Sequence, residues 1–204
     1  MIVPWLHIVT PEGVSAKVIV QTVKLIAHEV DAVHLRQKKW SANQMWNVLE
    51  TARLEGIPMH KWIVNDRADV AASCGVRGVH LAYHSLPVYT IRPLYPQLTV
   101  GVSVHSPAEI MSCAKGGADY AMYGHIYETT CKQGLAGRGL TGLISCRQQS
   151  DIPIIAIGGI TPERVTSVIN AGASGVAVMS PIWEASSPLN MVRRYRDAMH
   201  SLVH

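Results

Sequence analysis

The feature that most constrains this chain is a succession of eight short apolar runs spread along 204 residues. They occupy residues 5–9, 32–35, 62–64, 78–81, 99–102, 120–123, 154–157 and 176–179. Each is too short for a stable helix and has the length and composition of a buried strand. Helical signals lie between them. Residues 14–29 carry apolar side chains at 18, 19, 23, 25 and 26, one inward stripe. Ser41-Ala42-Asn43-Gln44 is a capping box opening a helix through Leu54, with Gly56 as its stop. Ser106-Pro107-Ala108-Glu109 is a second box with proline at the first helical position. Thr161-Pro162-Glu163 and Ser187-Pro188 start further helices, and residues 67–74, 88–94 and 140–148 complete the alternation. Strands separated by helices pair in parallel, because parallel neighbours need a crossover. The pattern predicts an α/β fold, a (β/α)8 TIM barrel, with residues 1–204 as one domain; a doubly wound sheet is the alternative. The chain is short beside the usual ~250 residues of such barrels, so its loops should be tight.

Composition excludes several classes. Hydrophobic residues make up 48% and charged residues 16%, which is globular rather than disordered. The net charge of +4 suits anionic small molecules, but Lys and Arg are scattered, with no stripe to track nucleic acid. The densest patch, Arg193-Arg194-Tyr195-Arg196, falls in the last predicted helix and reads as a solvated face. No run approaches 18 apolar residues, so no membrane span is expected. The first residues, MIVPWLHIVT, lack the charged leader and long apolar run of a signal peptide. Cysteines 74, 113, 131 and 146 show no C-x-x-C spacing, which argues against zinc or redox chemistry and fits reduced thiols in a cytoplasm.

Barrels of this type carry their sites at the carboxyl ends of the strands. Those ends supply Arg36, Gln37 and Lys38; Asn65 and Asp66; Tyr83, His84 and Ser85; Ser103 and His105; residues 125–132; Gly158-Gly159; and Met179-Ser180. The sixth end is the most heavily loaded. An apolar strand breaks at Gly124 into a loop with His125, Glu128, Thr129, Thr130, Cys131 and Lys132. His125 is the candidate for moving a proton near neutral pH; the alternative is that it closes a loop hydrogen bond. His105 is its rival, and Glu128 a candidate second base. His7, His28, His60 and His200 read as surface or core-edge positions, and His80 as a packed strand residue. Gly158-Gly159 removes side chains so that backbone N–H groups can approach an anion. With the loop after the eighth strand and a short helix starting near Ser180-Pro181, it forms an expected phosphate clamp.

Val64-Asn65-Asp66-Arg67-Ala68-Asp69, Gly78-Val79-His80-Leu81, Gly101-Val102-Ser103-Val104-His105-Ser106, Ile157-Gly158-Gly159-Ile160 and Gly175-Val176-Ala177-Val178 resemble thiamin phosphate synthase, from about Leu6 to Ser180 and into the last helix. The family's second magnesium-binding aspartate corresponds to Ser85, its strand-2 glutamine to His34, and a proline of its strand-6 loop to His125. Arg36, Lys38 and Asp66 are retained. These departures resemble the thiazole tautomerase (TenI) branch. That resemblance implies an isomerase of thiamin biosynthesis that aromatises a thiazole carboxylate phosphate, with His125 as acid and base. Gly159, Met179 and Ser180 would bind the phosphate, Arg36 or else Lys132 the carboxylate, and Thr129 would orient the ligand. No metal or other cofactor is implied, and the exposed helices are compatible with a homodimer. Two alternatives stand beside it: thiamin phosphate synthase itself, a transferase, and a non-catalytic sensor of a thiamin-related phosphate.

Overall fold

The structure, a computed structural model, describes residues 3–129 and 134–202. In chain order it contains β1 (Trp5–Val9), α1 (Ala16–Ile26), β2 (Ala32–Leu35), α2 (Ala42–Leu54), β3 (Trp62–Asn65), α3 (Ala68–Ser73), β4 (Gly78–Leu81) and α4 (Val88–Leu94). There follow β5 (Thr99–Val104), α5 (Pro107–Lys115), β6 (Tyr120–Gly124), α6 (Gly139–Gln149), β7 (Ile154–Ile157), α7 (Val165–Asn170), β8 (Gly175–Val178), α8 (Ser180–Trp183) and α9 (Pro188–His200). Each strand pairs in parallel with the next, and β8 returns to β1, closing the expected barrel. No described helix is long and apolar enough to cross a membrane.

The capping signals act where the sequence places them. Ser41 Oγ accepts from Gln44 N while the Gln44 side chain accepts from Ser41 N, the reciprocal box. Ser187 Oγ accepts from Asn190 N at the start of α9. The second box is shifted: Ser106 Oγ accepts from Glu109 N, but Glu109 Oε2 accepts from His105 N. Most boundaries that differ from expectation do so by one or two residues, and three have a local cause. α1 starts at Ala16, two residues late, because Ser15 caps it through Val18 N. The segment after Thr161 begins as a 3-10 turn, Pro162–Arg164, before α7. β8 begins at Gly175 rather than Val176, since a bare Cα there lets β1 come close: a Cβ would lie 2.3 Å from the Trp5 carbonyl oxygen.

Strand residues alternate between two cores. One face, including Leu6, Ile8, Val33, Leu35, Val64 and Val79, packs with the inner stripes of the helices. The other looks into the barrel, where Val9, Ala32, Ile63, Tyr120, Met122, Ile155 and Ala177 form a smaller apolar cluster. The same alternation corrects the expectation for His7. It sits between the outward-facing Leu6 and Ile8, so it points inward and is 3% exposed. His34 and His80 occupy the equivalent positions of β2 and β4 and are equally buried. Gly101 makes this interior possible, since a Cβ there would lie 2.0 Å from the Tyr120 ring.

Closure of the barrel is reinforced from outside by Arg196 of α9. Its guanidinium donates to the Glu29 carbonyl at 2.5 Å, the Pro4 carbonyl at 3.3 Å and the Asp31 carboxylate at 2.7 Å. Asp31 also accepts from Leu6 N at 2.7 Å. One side chain thus ties the last helix to β1 and to the turn before β2.

Candidate active site

Three groups of residues meet at the carboxyl ends of the strands. The first is the diglycine after β7. Gly158 and Gly159 both have positive φ, +103° and +64°, which an L side chain rarely adopts. The Gly158 carbonyl accepts from Tyr127 N at 3.0 Å, and the Gly159 carbonyl from the Arg164 guanidinium at 2.7 Å. In a planar trans peptide the following N–H points the opposite way. The N–H of Gly159 is therefore turned away from the β6 loop, available to an anion. Arg164 is held over the Tyr127 ring, 4.4 Å from its centroid, so the loop is braced on two sides. Met179 and Ser180 follow β8; Met179 packs against the interior cluster and precedes α8. The Trp183 indole donates to the Val9 carbonyl at 2.8 Å and anchors that short helix to β1.

The second group is the β6 loop, which lies directly on the diglycine. A Cβ on Gly158 would fall 2.3 Å from His125 Cβ, and one on Gly159 would fall 2.7 Å from Tyr127 Cβ. His125 is half-buried. Its Nε2 lies 3.2 Å from the Leu135 carbonyl oxygen and must donate to it, which leaves Nδ1 as an acceptor in the neutral ring. Arg138 fixes the backbone around it, donating from Nε to the Gly124 carbonyl and from its own N–H to the His125 carbonyl. Thr129 is half-buried at the end of the described stretch, and Glu128 is exposed. Thr130, Cys131 and Lys132 lie outside the described residues. The rival His105 is engaged by its own helix, with Nδ1 3.4 Å from Glu109 Oε2.

The third group spans β2, β3 and β4. Arg36 is held through its backbone by Thr10, and its guanidinium lies 3.6 Å from Glu12. Asp66 adopts φ +65° at the end of β3, the single non-glycine residue with positive φ among those described. Its Oδ1 accepts from the Ser85 hydroxyl at 2.5 Å and the Ala82 N–H at 3.3 Å, and its Oδ2 lies 3.2 Å from His84 Nε2.

The resemblance to thiamin phosphate synthase raises magnesium, so the donor set can be tested against that ion. Mg²⁺ takes hard oxygen donors, commonly one or two carboxylates together with substrate phosphates. Here the second carboxylate position is Ser85, and the hydroxyl spends its proton on Asp66. An imidazole occupies the other oxygen of Asp66. No cluster of three His, Cys, Asp or Glu side chains suited to a metal exists among the described residues. The residues present do not fit a protein-held magnesium.

Beneath the mouth lies a buried polar layer in which His80 is packed, as expected, together with His7 and His34, which sequence reasoning did not place there. His7 Nδ1 is 3.0 Å from His34 Nε2; His80 Nδ1 is 3.2 Å from the Tyr120 hydroxyl, and His80 Nε2 is 2.8 Å from Ser103 Oγ. Burial, reinforced for His7 by the Arg77 charge, pushes its pKa down to about 3. Burial pushes His80 down to about 4 and His34 well below its usual value, and it raises the Tyr120 hydroxyl. All three imidazoles are neutral at physiological pH. The signal was present in the sequence: each histidine is flanked by two outward-facing apolar residues on a strand, a period-2 pattern that aims it inward.

Fold and element order together define a closed, eight-stranded parallel (β/α)8 barrel. Residues 6–182 match the family described as thiamine monophosphate synthase, and the chain belongs to that family. It is 36% identical over 205 residues to the thiamine-phosphate synthase of Chloroflexus aurantiacus, covering 96% of this chain and 93% of that protein. It is 37% identical over 182 residues to the Natronomonas pharaonis thiamine-phosphate synthase, covering 85% and 84%. Among solved structures it resembles the thiamine phosphate pyrophosphorylase of Pyrococcus furiosus, with a TM-score of 0.83, 25% identity and coverage of 98% and 97%. These relatives overturn the expectation of a thiazole tautomerase. That expectation rested on a few rim positions, chiefly Ser85 and His125, whereas the similarity to proteins named as synthases runs the length of the barrel.

Proposed function

We propose that the chain is an enzyme of thiamin phosphate synthesis, a transferase that joins a hydroxymethylpyrimidine diphosphate ester to a thiazole phosphate. The thiazole ring nitrogen forms a bond to the pyrimidine methylene carbon. The bond from that carbon to the diphosphate oxygen breaks, and the diphosphate leaves with the electron pair.

What carries this reading is the placement of two anion-accepting regions on opposite sides of one mouth. In a closed ring of eight strands β7 stands across from β3. The diglycine and the start of α8 face the retained Arg36, with Lys38 beside it, and the loop after β4. Two phosphate-bearing substrates anchored at these ends would have their reacting rings between them, which lowers the entropic part of the barrier. Gly159 would hold the thiazole phosphate through its N–H, with Met179 and Ser180 at the second edge of that pocket. His125 lies against Gly158, beside the expected ring, and offers Nδ1 as an acceptor. Thr129, in the described part of the same loop, would lie beside the bound ring. Arg36 would meet the diphosphate, where a guanidinium fork pairs with two oxygens.

The test is product formation from hydroxymethylpyrimidine diphosphate and thiazole phosphate, followed by chromatography. Many turnovers per enzyme are expected. Binding of both substrates with no product would replace this reading with that of a non-catalytic phosphate-binding barrel.

A further inference from the structure

A cavity of about 210 Å³ lies at the amino-terminal end of the barrel, opposite the mouth, with walls that include Trp5, His7, Ile63, Arg77 and Asp119. We propose that it binds a small hydroxycarboxylate, with the carboxylate on Arg77 and the hydroxyl donating to His7 Nε2. The proposal goes beyond the transferase reading and does not depend on it, because the cavity is at the far end from both phosphate regions.

The strand starts fix its position. Trp5 opens β1, and Arg77 and Asp119 immediately precede β4 and β6. A single water needs about 10–15 Å³ of such space, and drug-sized ligands fill about 300–1,000 Å³. This cavity suits a molecule of several heavy atoms. Its inner end is unfinished: His7 is 3% exposed, and its Nε2 has no hydrogen-bond partner among the described residues. A buried polar atom in that state is costly, and a ligand can relieve it. The other contact of the ring decides which kind of ligand group Nε2 takes. Asn65 favours a proton on His34, and its buried Oδ1 can only accept. That proton therefore sits on His34 Nδ1, and His34 Nε2 accepts from His7 Nδ1–H at 3.0 Å. A neutral His7 then has a lone pair on Nε2, which calls for a donor. Arg77 is the charge felt most strongly at His7, and it disfavours a cation there. The donor is thus a hydroxyl rather than an ammonium. At the opening the other charges are paired off. Asp119 is bonded to the Arg92 guanidinium and to Val100 N, and Asp31 pairs with Arg196 at 2.7 Å. Arg77 has no carboxylate partner among the described residues, and its hydrogen bond to the Asp31 carbonyl at 3.2 Å uses one nitrogen. The remaining guanidinium donors suit a carboxylate, which can take two at once. Trp5 and the buried Ile63 give an apolar wall to the carbon chain between the two ends.

The test is calorimetric titration of the full chain with 3-hydroxybutyrate, and with butyrate as the same carbon chain lacking the hydroxyl. A single site of millimolar affinity is expected for 3-hydroxybutyrate, with butyrate roughly tenfold weaker, the scale of a hydrogen bond withheld from a buried acceptor. Arg77→Gln, at a half-buried position, should keep the wild-type circular dichroism spectrum and weaken 3-hydroxybutyrate by about tenfold or more. In a chain labelled with ¹⁵N-histidine, the His7 Nε2 resonance should move upfield with 3-hydroxybutyrate and stay in place with butyrate. Equal affinity for the two acids, binding unchanged in Arg77→Gln, or no binding of either acid would overturn the proposal. Coupling of the two phosphate-bearing substrates is a separate assay, and its failure would sink the transferase reading while leaving this site standing.

Discussion

His7 Nδ1 lies 3.0 Å from His34 Nε2 in the barrel interior, with both rings buried. A third imidazole, His80, stacks edge-on against His34 with ring centroids 5.2 Å apart. Three imidazoles this close cannot all carry charge, and burial keeps them neutral. In the unfolded chain each would titrate near its ordinary value of about 6.5. Below that pH the unfolded state binds protons that the folded state refuses, so stability falls as pH drops. For His80, lowered to about 4, the loss is roughly 3 kcal/mol once pH reaches that value. Stability should therefore be flat above about pH 7 and should decline steeply from 6.5 to 4. Urea denaturation across that range checks it, and His80→Gln should flatten the slope.

The contact of Gly159 with the β6 loop leads to a second prediction. In Gly159→Ala the new methyl would meet the Glu128 carbonyl oxygen at 2.6 Å and Tyr127 Cβ at 2.7 Å, at a φ of +64°. The diglycine must then move and re-aim its N–H. Thiazole phosphate affinity should fall at least about tenfold, while the strain costs on the order of 1–3 kcal/mol of stability. Equilibrium binding and thermal melting separate the two effects.

Arg196 provides a test of closure. Replacing it with methionine keeps most of the apolar stem but leaves the Asp31 carboxylate and the Glu29 and Pro4 carbonyls without their donor. The pair is partly exposed, with side-chain values of 14% and 32%, so the loss should fall below that of a fully buried bridge. Roughly 2 kcal/mol is expected, seen as a Tm lower by about 4–8 °C. Coupling activity measured well below Tm should be unaffected.

Much of the architecture was legible in the primary structure. The eight apolar runs each form a strand, and Ser41 with Gln44, and Ser187 before Pro188, are local signals that act where they were read. The boundary at β8 was not legible, because it depends on how near β1 comes to Gly175, a long-range fact. His7 was misplaced because a histidine was weighed alone rather than with the flanking Leu6 and Ile8. The rim positions of Arg36, His125, Gly159 and Ser180 follow once strand ends are known. The partnership of Asp66 with His84 and Ser85 joins loops after two different strands, and spacing alone does not show it. The reaction was misread for a related reason: single exchanges at the rim were given more weight than the sequence of the whole barrel.

The most direct measurement is a crystal structure with thiazole phosphate and inorganic pyrophosphate bound together. The thiazole phosphorus is expected within reach of the Gly159 N–H, with the ring beside His125. The pyrophosphate is expected across the mouth against Arg36. Both anions crowded onto one side, or a thiazole phosphate seated away from the diglycine, would contradict the arrangement on which the proposed transfer depends.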